Sequence, residues 1–413
     1  MIASSISPIA ADVLVVGSGA IGASAALAMS RLGRRVALIG PPSAVAQQPE
    51  PGRDNRVYAL SAPSIAFLRD LGVWQALDPG RTCPIARMRV WPSAGRSDPK
   101  LEFDAHDSAV ESLAVIVEGA ELGRVLGQAL QFSAVQRVET EVIGWRGELS
   151  GRAQLTLGDG RLAQGRLVVA CDGAESAVRA LAGIQADFND YGQLAIVANF
   201  ETEKPHRDTA YQWFGEHGVL ALLPLAPPAA QAGVDAAGRV SIVWSAPLAL
   251  AKELSALDPQ MLAARVAEAS GMALGELKPL SPIAVHPLRL GRVATMIGAR
   301  LALAGDSAHV VHPLAGQGMN LGFGDVAALC AAVRVAADPG SRIVLRRYER
   351  SRAEPVLAMR LVTDGLQRLF DPAQITSLGA LGAPLVAIRD LGWRAVASSS
   401  WLRRQLVAQA GRR

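Results

Sequence analysis

An α/β fold built on a Rossmann-like dinucleotide unit is what this sequence predicts, on three observations. The run Asp12–Val16, DVLVV, is short, continuous and apolar, as a parallel strand buried on both faces must be. It leads directly into GSGAIG, after which ASAALAMSRLG reads as an Ala-rich helix ending at Gly33. RRVALI (Arg34–Ile39) is a second buried strand, so a β-α-β unit closes within about 30 residues. A chain of 413 residues leaves room for two or three domains, or for one large α/β core with an insertion.

The remaining elements follow in order. The loop Gly40–Gly52 is rich in Pro and Gln, and Ser61–Leu77 reads as a helix with Ile65, Leu68 and Leu71 on one face. Between Arg81 and Val115, short alternating stretches such as ARMRVW read as strands. Glu121–Leu130 is expected as a helix, QLTLGDGRL as a hairpin, and LVVAC (Leu167–Cys171) as another buried strand. From Tyr191 to Ala246 the pattern is strand-rich, with a Pro/Ala/Gly loop at 227–238. A helix is expected over 258–276, a buried strand at RLALAGD (Arg300–Asp306), and a long helix from about Gly318. The tail from Ser341 reads as helical, interrupted around Pro372 and Pro384.

Composition narrows the function. Half the residues are hydrophobic (50%) and 19% are charged, which excludes a mainly disordered chain. The net charge is only +4, with basic and acidic residues interspersed and 5% aromatics, so no nucleic-acid partner is expected. Cys83, Cys171 and Cys330 lie far apart without CxxC spacing, which suits a reducing compartment and neither a disulfide framework nor a zinc site. MIASSISPIA lacks the basic start of a signal peptide, and no apolar stretch reaches the roughly 20 residues that span a bilayer. The expected location is the cytoplasm, within reach of the inner membrane face.

Two glycine-rich segments carry the chemistry. In GSGAIG, Gly17 permits the tight turn, Gly19 lets a pyrophosphate approach the backbone, and Gly22 lets helix and strand pack closely. Ala20 and Ile21 open the helix, whose free N–H groups attract phosphate. The fingerprint normally ends in an acid at the close of the second strand, but here that position is Gly40, and Glu50 and Asp54 lie too far along. A lost bond to a charged group is worth about 1.5–3 kcal/mol, so loose dinucleotide binding is expected. The second segment is GDSAHVVHPLAGQGMNLGFGD, Gly305–Asp325. It places Asp306 at a strand end, then lets bare backbone at Gly316 and Gly318 lie against a flat ring. His309 and His312 lack a carboxylate–histidine set of metal spacing, so they are read as structural or pocket-lining and no metal is expected.

These motifs resemble those of the FAD-dependent aromatic hydroxylases of the p-hydroxybenzoate hydroxylase type, and within them the ubiquinone-biosynthesis branch. GSGAIG, CDGAESAVR (Cys171–Arg179) and GDSAH…HPLAGQGMN agree in order and spacing. DNRVYALS, LGVW, RMRVW, DYGQLAIVANF, ALLPL, VSIVWS and RYERSR extend the likeness over nearly the whole chain. The resemblance implies a discontinuous FAD domain (residues 1–80, 116–185 and 286–340) and an inserted mixed β-sheet substrate domain (81–115 and 186–285). A helical C-terminal segment (341–413) completes it. It further implies that Gly17, Gly19, Ala20, Ile21 and Gly22 face the FAD pyrophosphate and Arg56 neutralises it. Asp306 would bind the ribitol, and Pro313, Gly316, Gly318, Met319 and Asn320 would border the isoalloxazine. Asp172 and Gly173 belong to a motif tied to FAD and NAD(P)H, with a plain strand-ending turn as the alternative.

The implied reaction is hydroxylation of a polyprenylated phenol with NAD(P)H as co-substrate and O₂ as oxidant. No catalytic side chain is implied. A related flavoenzyme acting on another phenol or a prenyl chain, and a weakly flavin-binding subunit among other ubiquinone-biosynthesis proteins, remain as alternatives. Two departures stand out: Gly40, and Gly119-Ala120 where such proteins commonly carry Asn-Arg. From Arg389 on, Arg394, Arg403, Arg404, Arg412 and Arg413 with Trp393, Trp401 and Leu402 suit peripheral contact with an anionic membrane. A solvated helix packed on the domain is the alternative.

Overall fold

The continuous apolar runs form the centre of a six-stranded sheet. It is seen in a computed structural model that describes residues 8–41, 55–92, 100–215, 217–227, 237–310 and 317–370, with Trp393, Val396, Ser399, Arg404 and Val407 beyond them. The strand order is Ile297–Gly298, Leu301–Leu303, Leu167–Ala170, Val13–Val16, Val36–Ile39 and Gln136–Val138. All neighbours are parallel except the Ile297–Gly298 edge. Val13, Leu14, Val15 and Val16 are all buried, as a strand covered on both faces requires. The helix Ala20–Arg31 packs on this sheet and against the helix Gln317–Val333.

A second, mixed sheet runs His309–Val310, Ala284–Val293, Ala186–Thr202, Gly238–Pro247, Gly218–Leu225, Thr209–Gly215, Arg87–Trp91 and Leu101–Asp104, with Leu277–Pro279 paired to Ala186–Thr202. Thr209–Gly215 pairs parallel with Arg87–Trp91, and the other pairings are antiparallel. Alternation splits its residues between two faces. Ile196, Phe200, Trp213, Leu222, Ile242 and Trp244 pack with the helices Leu248–Ala256 and Pro259–Ala269 into a core of their own. The other face lines a cavity shared with the glycine loop of the six-stranded sheet.

Several expectations are corrected by turn chemistry. The helix expected over Ser61–Leu77 ends at Asp70, because Gly72 (φ 68°) takes the left-handed position. Its N–H reaches Arg69 O at 2.9 Å, and that of Val73 reaches Leu68 O at 3.0 Å. The helix expected over 258–276 stops at Ala269 for the same reason: Gly271 (φ 61°) donates to Glu268 O and Met272 to Ala267 O. The expected boundary at residue 286 falls inside the strand Ala284–Val293, which belongs wholly to the larger sheet, as does His309–Val310. The tail helix runs Arg342–Phe370, while the interruptions expected near Pro372 and Pro384 and the loop 228–236 lie outside the described residues. Trp393 and Val396 pack against Val90, Leu101, Phe214 and Val219. Among the described residues no helix is long and apolar enough to cross a membrane.

Candidate active site

One cavity of ≈ 960 Å³ joins the glycine loop of the six-stranded sheet to the open face of the larger sheet. The loop is shaped by its own glycines. A Cβ on Gly17 (φ 107°) would sit 2.3 Å from Cys171 O, and one on Gly22 only 1.8 Å from Gly17 O. Both positions therefore exclude side chains through backbone packing. Gly19 differs: nothing lies within 4 Å of where its Cβ would be, and it opens onto the cavity as the residue preceding the Ala20–Arg31 helix. The N–H groups of the helix's first turn face that open space, the donor set that a pyrophosphate takes. Ala20, Arg56 and Gly40 line the same end. Ile21 also reaches under the second motif, where a Cβ on Gly322 would come within 2.7 Å of its Cδ1.

Asp306 follows Gly305 (φ 66°), whose N–H is held by Asp325 Oδ2 at 2.9 Å. Asp306 is an exposed residue whose carboxylate opens into the cavity, with protein atoms crowding the space around it. Burial raises its pKa, the nearby Asp325 adds to the rise, and His309 opposes it. A ligand offering hydroxyl donors there would displace cavity water and hydrogen-bond the carboxylate. Gly318 and Met319, in the first turn of the helix Gln317–Val333, continue the wall. Pro313 and Gly316, like His312, lie outside the described residues.

Two expected cofactor residues face elsewhere. The Asn320 amide accepts from Ser61 N–H at 2.9 Å and donates to Ala59 O at 2.8 Å, which ties the helix start to a distant strand end. Asp172 accepts from Ser176 Oγ at 2.5 Å and Val178 N–H at 3.1 Å, capping the short helix Ala177–Leu181. It is Gly173 (φ 85°), with open space above its Cα, that lines the cavity. Arg179 anchors this turn by donating to Ala174 O and Ser307 O. His309 is a buried structural group: its Nε2 meets Asp325 Oδ2 at 2.6 Å, and Arg352 Nε donates to Asp325 Oδ1 at 2.7 Å.

Sequence reasoning missed several lining residues at each end of the cavity. At the glycine-loop end, Arg124, Gln128 and Gln131 line it from one face of the helix Gly119–Gln131, a helical spacing that was readable. Beside them stand Arg137 and Glu139, which pair at 3.2 Å. Glu139 directly follows Val138, whose carbonyl accepts from Gly40 N–H at 3.2 Å. Glu139 and Asp306 are the acids among the described lining residues. At the other end, cross-strand register builds a floor of small side chains. Val197, Val243, Ala221 and Gln212 form one row; Ala195, Ser245 and Val219 form the next. Apart from the cavity, Cys83, His206 and Asp208 bring ligand atoms within 4.8 Å of one another. Both ring nitrogens of His206 are engaged, Nδ1 by Asp208 N–H and Nε2 by Leu225 O, each at 3.0 Å.

Comparison with known proteins agrees with this arrangement. Residues 10–362 match the FAD binding domain family. A ubiquinone hydroxylase of Rhodospirillum rubrum is 33% identical over 414 residues, covering 97% of this chain and 89% of the relative. The 3-demethoxyubiquinol 3-hydroxylase of Escherichia coli is 31% identical over 408 residues, covering 97% and 98%. Among solved structures, a probable FAD-dependent monooxygenase from Pseudomonas aeruginosa shares the fold with a TM-score of 0.71 at 23% identity, over 88% of this chain and 98% of that one. Klebsiella pneumoniae HpxO, complexed with FAD and uric acid, gives 0.69 at 19% identity over 96% of each chain.

Proposed function

This chain belongs to the FAD-binding domain family, and from that premise we propose that it hydroxylates the ring of a polyprenylated phenol in ubiquinone biosynthesis. It is an FAD-dependent monooxygenase with NAD(P)H as co-substrate. The observation that carries the reading is the single cavity: one end is a pyrophosphate cradle, the other an apolar floor fit for a lipophilic ring. When bound, FAD would carry electrons from NAD(P)H to O₂, one oxygen atom of which enters the ring while the other leaves as water.

The chain's own residues bind, orient and exclude water. Gly17, Gly19, Ala20, Ile21 and Gly22 hold the pyrophosphate, and Arg56 neutralises it. Asp306 takes the ribityl hydroxyls, while Gly318 and Met319 border the ring system. The free N–H groups at the start of Gln317–Val333 favour negative charge beside it. Val197, Ala221 and Val243 keep the substrate end dry. The basic stretch beyond Ser399 brings the protein to an anionic membrane surface where such a substrate dissolves.

The test is flavin titration, then NAD(P)H oxidation and product mass under ¹⁸O₂ with short-tailed prenyl phenols. One labelled oxygen per product is expected. Flavin-loaded protein that leaves every phenol unchanged would overturn the reading, and protein that takes up no flavin would point to a non-catalytic subunit.

A further inference from the structure

The floor of the cavity holds a buried amide that no described residue satisfies. Gln212 sits at the middle of the strand Thr209–Gly215 and is 6% exposed. In its cross-strand row the neighbours are Ala221 on one side and Val90 on the other, with Val243 beyond Ala221. None of these side chains can donate or accept a hydrogen bond. Among the described residues the amide has no partner, yet it is not sealed by protein: it lines the cavity. Ser245, 3% exposed on the strand Gly238–Pro247, is likewise a cavity-lining hydroxyl without a side-chain partner among the described residues. Two strands and two residues separate them, about 12 Å at the backbone from standard strand spacings.

An unpartnered buried amide is destabilising, so a fold gains from one only where something else completes its hydrogen bonds. Its row neighbours are apolar and the site opens toward the flavin end. An amide offers two N–H donors and a carbonyl acceptor, so it can accept from a phenol hydroxyl or donate to a methoxy or carbonyl oxygen. We propose that Gln212 is the specificity-determining group of the substrate end, hydrogen-bonding an oxygen substituent of the ring, with Ser245 as a second contact across the floor. The inference rests on the hydroxylase reading above and goes beyond it by naming what the site recognises. A site built this way rejects a ring lacking that oxygen far more strongly than one differing by a methylene.

The experiment uses full-length, FAD-loaded protein and two probes: a short-chain prenylated phenol and the same prenylated arene with hydrogen in place of its hydroxyl. Binding is followed by the flavin absorbance change. In Gln212→Met, a near-isostere without the amide, the Kd for the phenol rises about 10- to 100-fold. The Kd for the hydroxyl-free arene stays the same or falls, FAD affinity is unchanged, and the Tm of the flavin-free protein is equal to or above wild type. A structural role would instead lower the Tm and weaken both probes together. Equal affinity of wild type and Gln212→Met for the phenol, or parallel loss for both probes, overturns the proposal. Wild-type protein that binds neither probe overturns the hydroxylase reading, and the proposal with it.

Discussion

At Gly40 the strand Val36–Ile39 ends without the acid that dinucleotide sites normally place there, and its surroundings give the reason. A Cβ at Gly40 would lie 3.0 Å from Ser18 N and 3.4 Å from Ser18 Cβ, while Ser18 Oγ donates to Pro41 O at 2.6 Å. The strand end closes tightly over the glycine loop. Gly40→Glu is therefore expected to leave FAD affinity unimproved. Glu139→Gln, on the adjoining strand end, should weaken FAD binding about tenfold or more, the size of a bond to a charged group. Fluorescence titration of flavin-free protein checks both. Asp306 makes a second prediction. Its raised pKa means that the folded state binds the proton more tightly than the unfolded chain. Its contribution to stability is thus fullest at acid pH and is lost as pH rises from the ordinary carboxylate value through the raised one. Asp306→Asn should raise the Tm of flavin-free protein at neutral pH while lowering FAD occupancy. An unchanged occupancy would remove Asp306 from the site. Of these residues, Gly17, Gly19 and Gly22 were legible from spacing alone. Asn320 was not, because its partners Ala59 and Ser61 lie 261 and 259 positions away along the chain.

Between elements, Asp325 is the joint behind the second motif. This buried carboxylate on the helix Gln317–Val333 accepts from Gly305 N–H and Arg352 Nε and pairs with His309, so it links a strand end, the motif loop and the helix Arg342–Phe370. Burial alone would raise its pKa, but His309, Arg352 and the Gly305 amide together hold it below the ordinary value. Stability from this group is present at neutral pH and lost as pH falls through that lowered pKa. Asp325→Ala leaves Arg352 buried without its carboxylate and should destabilise by about 3–5 kcal/mol, measured by urea unfolding. A loss under 1 kcal/mol would show that the joint is not what holds the elements together. The helix Gly119–Gln131 meets a similar constraint at its start. A Cβ on Gly119 would lie 3.1 Å from both Arg56 O and Tyr58 Cε2, so the departure from Asn there accompanies a close approach of two elements. Helix existence was readable from apolar spacing. Two of the helix ends shifted, because glycine in the left-handed position closed the helix before the apolar pattern ran out.

Across the whole molecule, the cavity exists because two sheets with separate cores meet along it. The C-terminal segment touches this arrangement at Trp393, which packs on Val90, Leu101, Phe214 and Val219. Trp393→Ala should cost about 1–2 kcal/mol of stability and leave sedimentation with anionic liposomes unchanged. Deletion from Ser399 onward should reduce that sedimentation, as should added salt. Liposome binding that falls with Trp393→Ala at full stability would reverse the assignment. The sequence by itself determined the strand–glycine loop–helix order, the flavin motifs and the alternation of the substrate strands. These depend on residues adjacent or a turn apart, whose geometry is set by local sterics and period. Only the tertiary structure decided which polar groups serve the cavity. Glu139 stands beside Gly40 because two strands pair in parallel. Gln212 faces the ligand space because sheet register sets it opposite Ala221, and Asp172 turns away because a helix cap claims its carboxylate. Those outcomes rest on contacts between segments far apart in the chain, which local pattern does not encode.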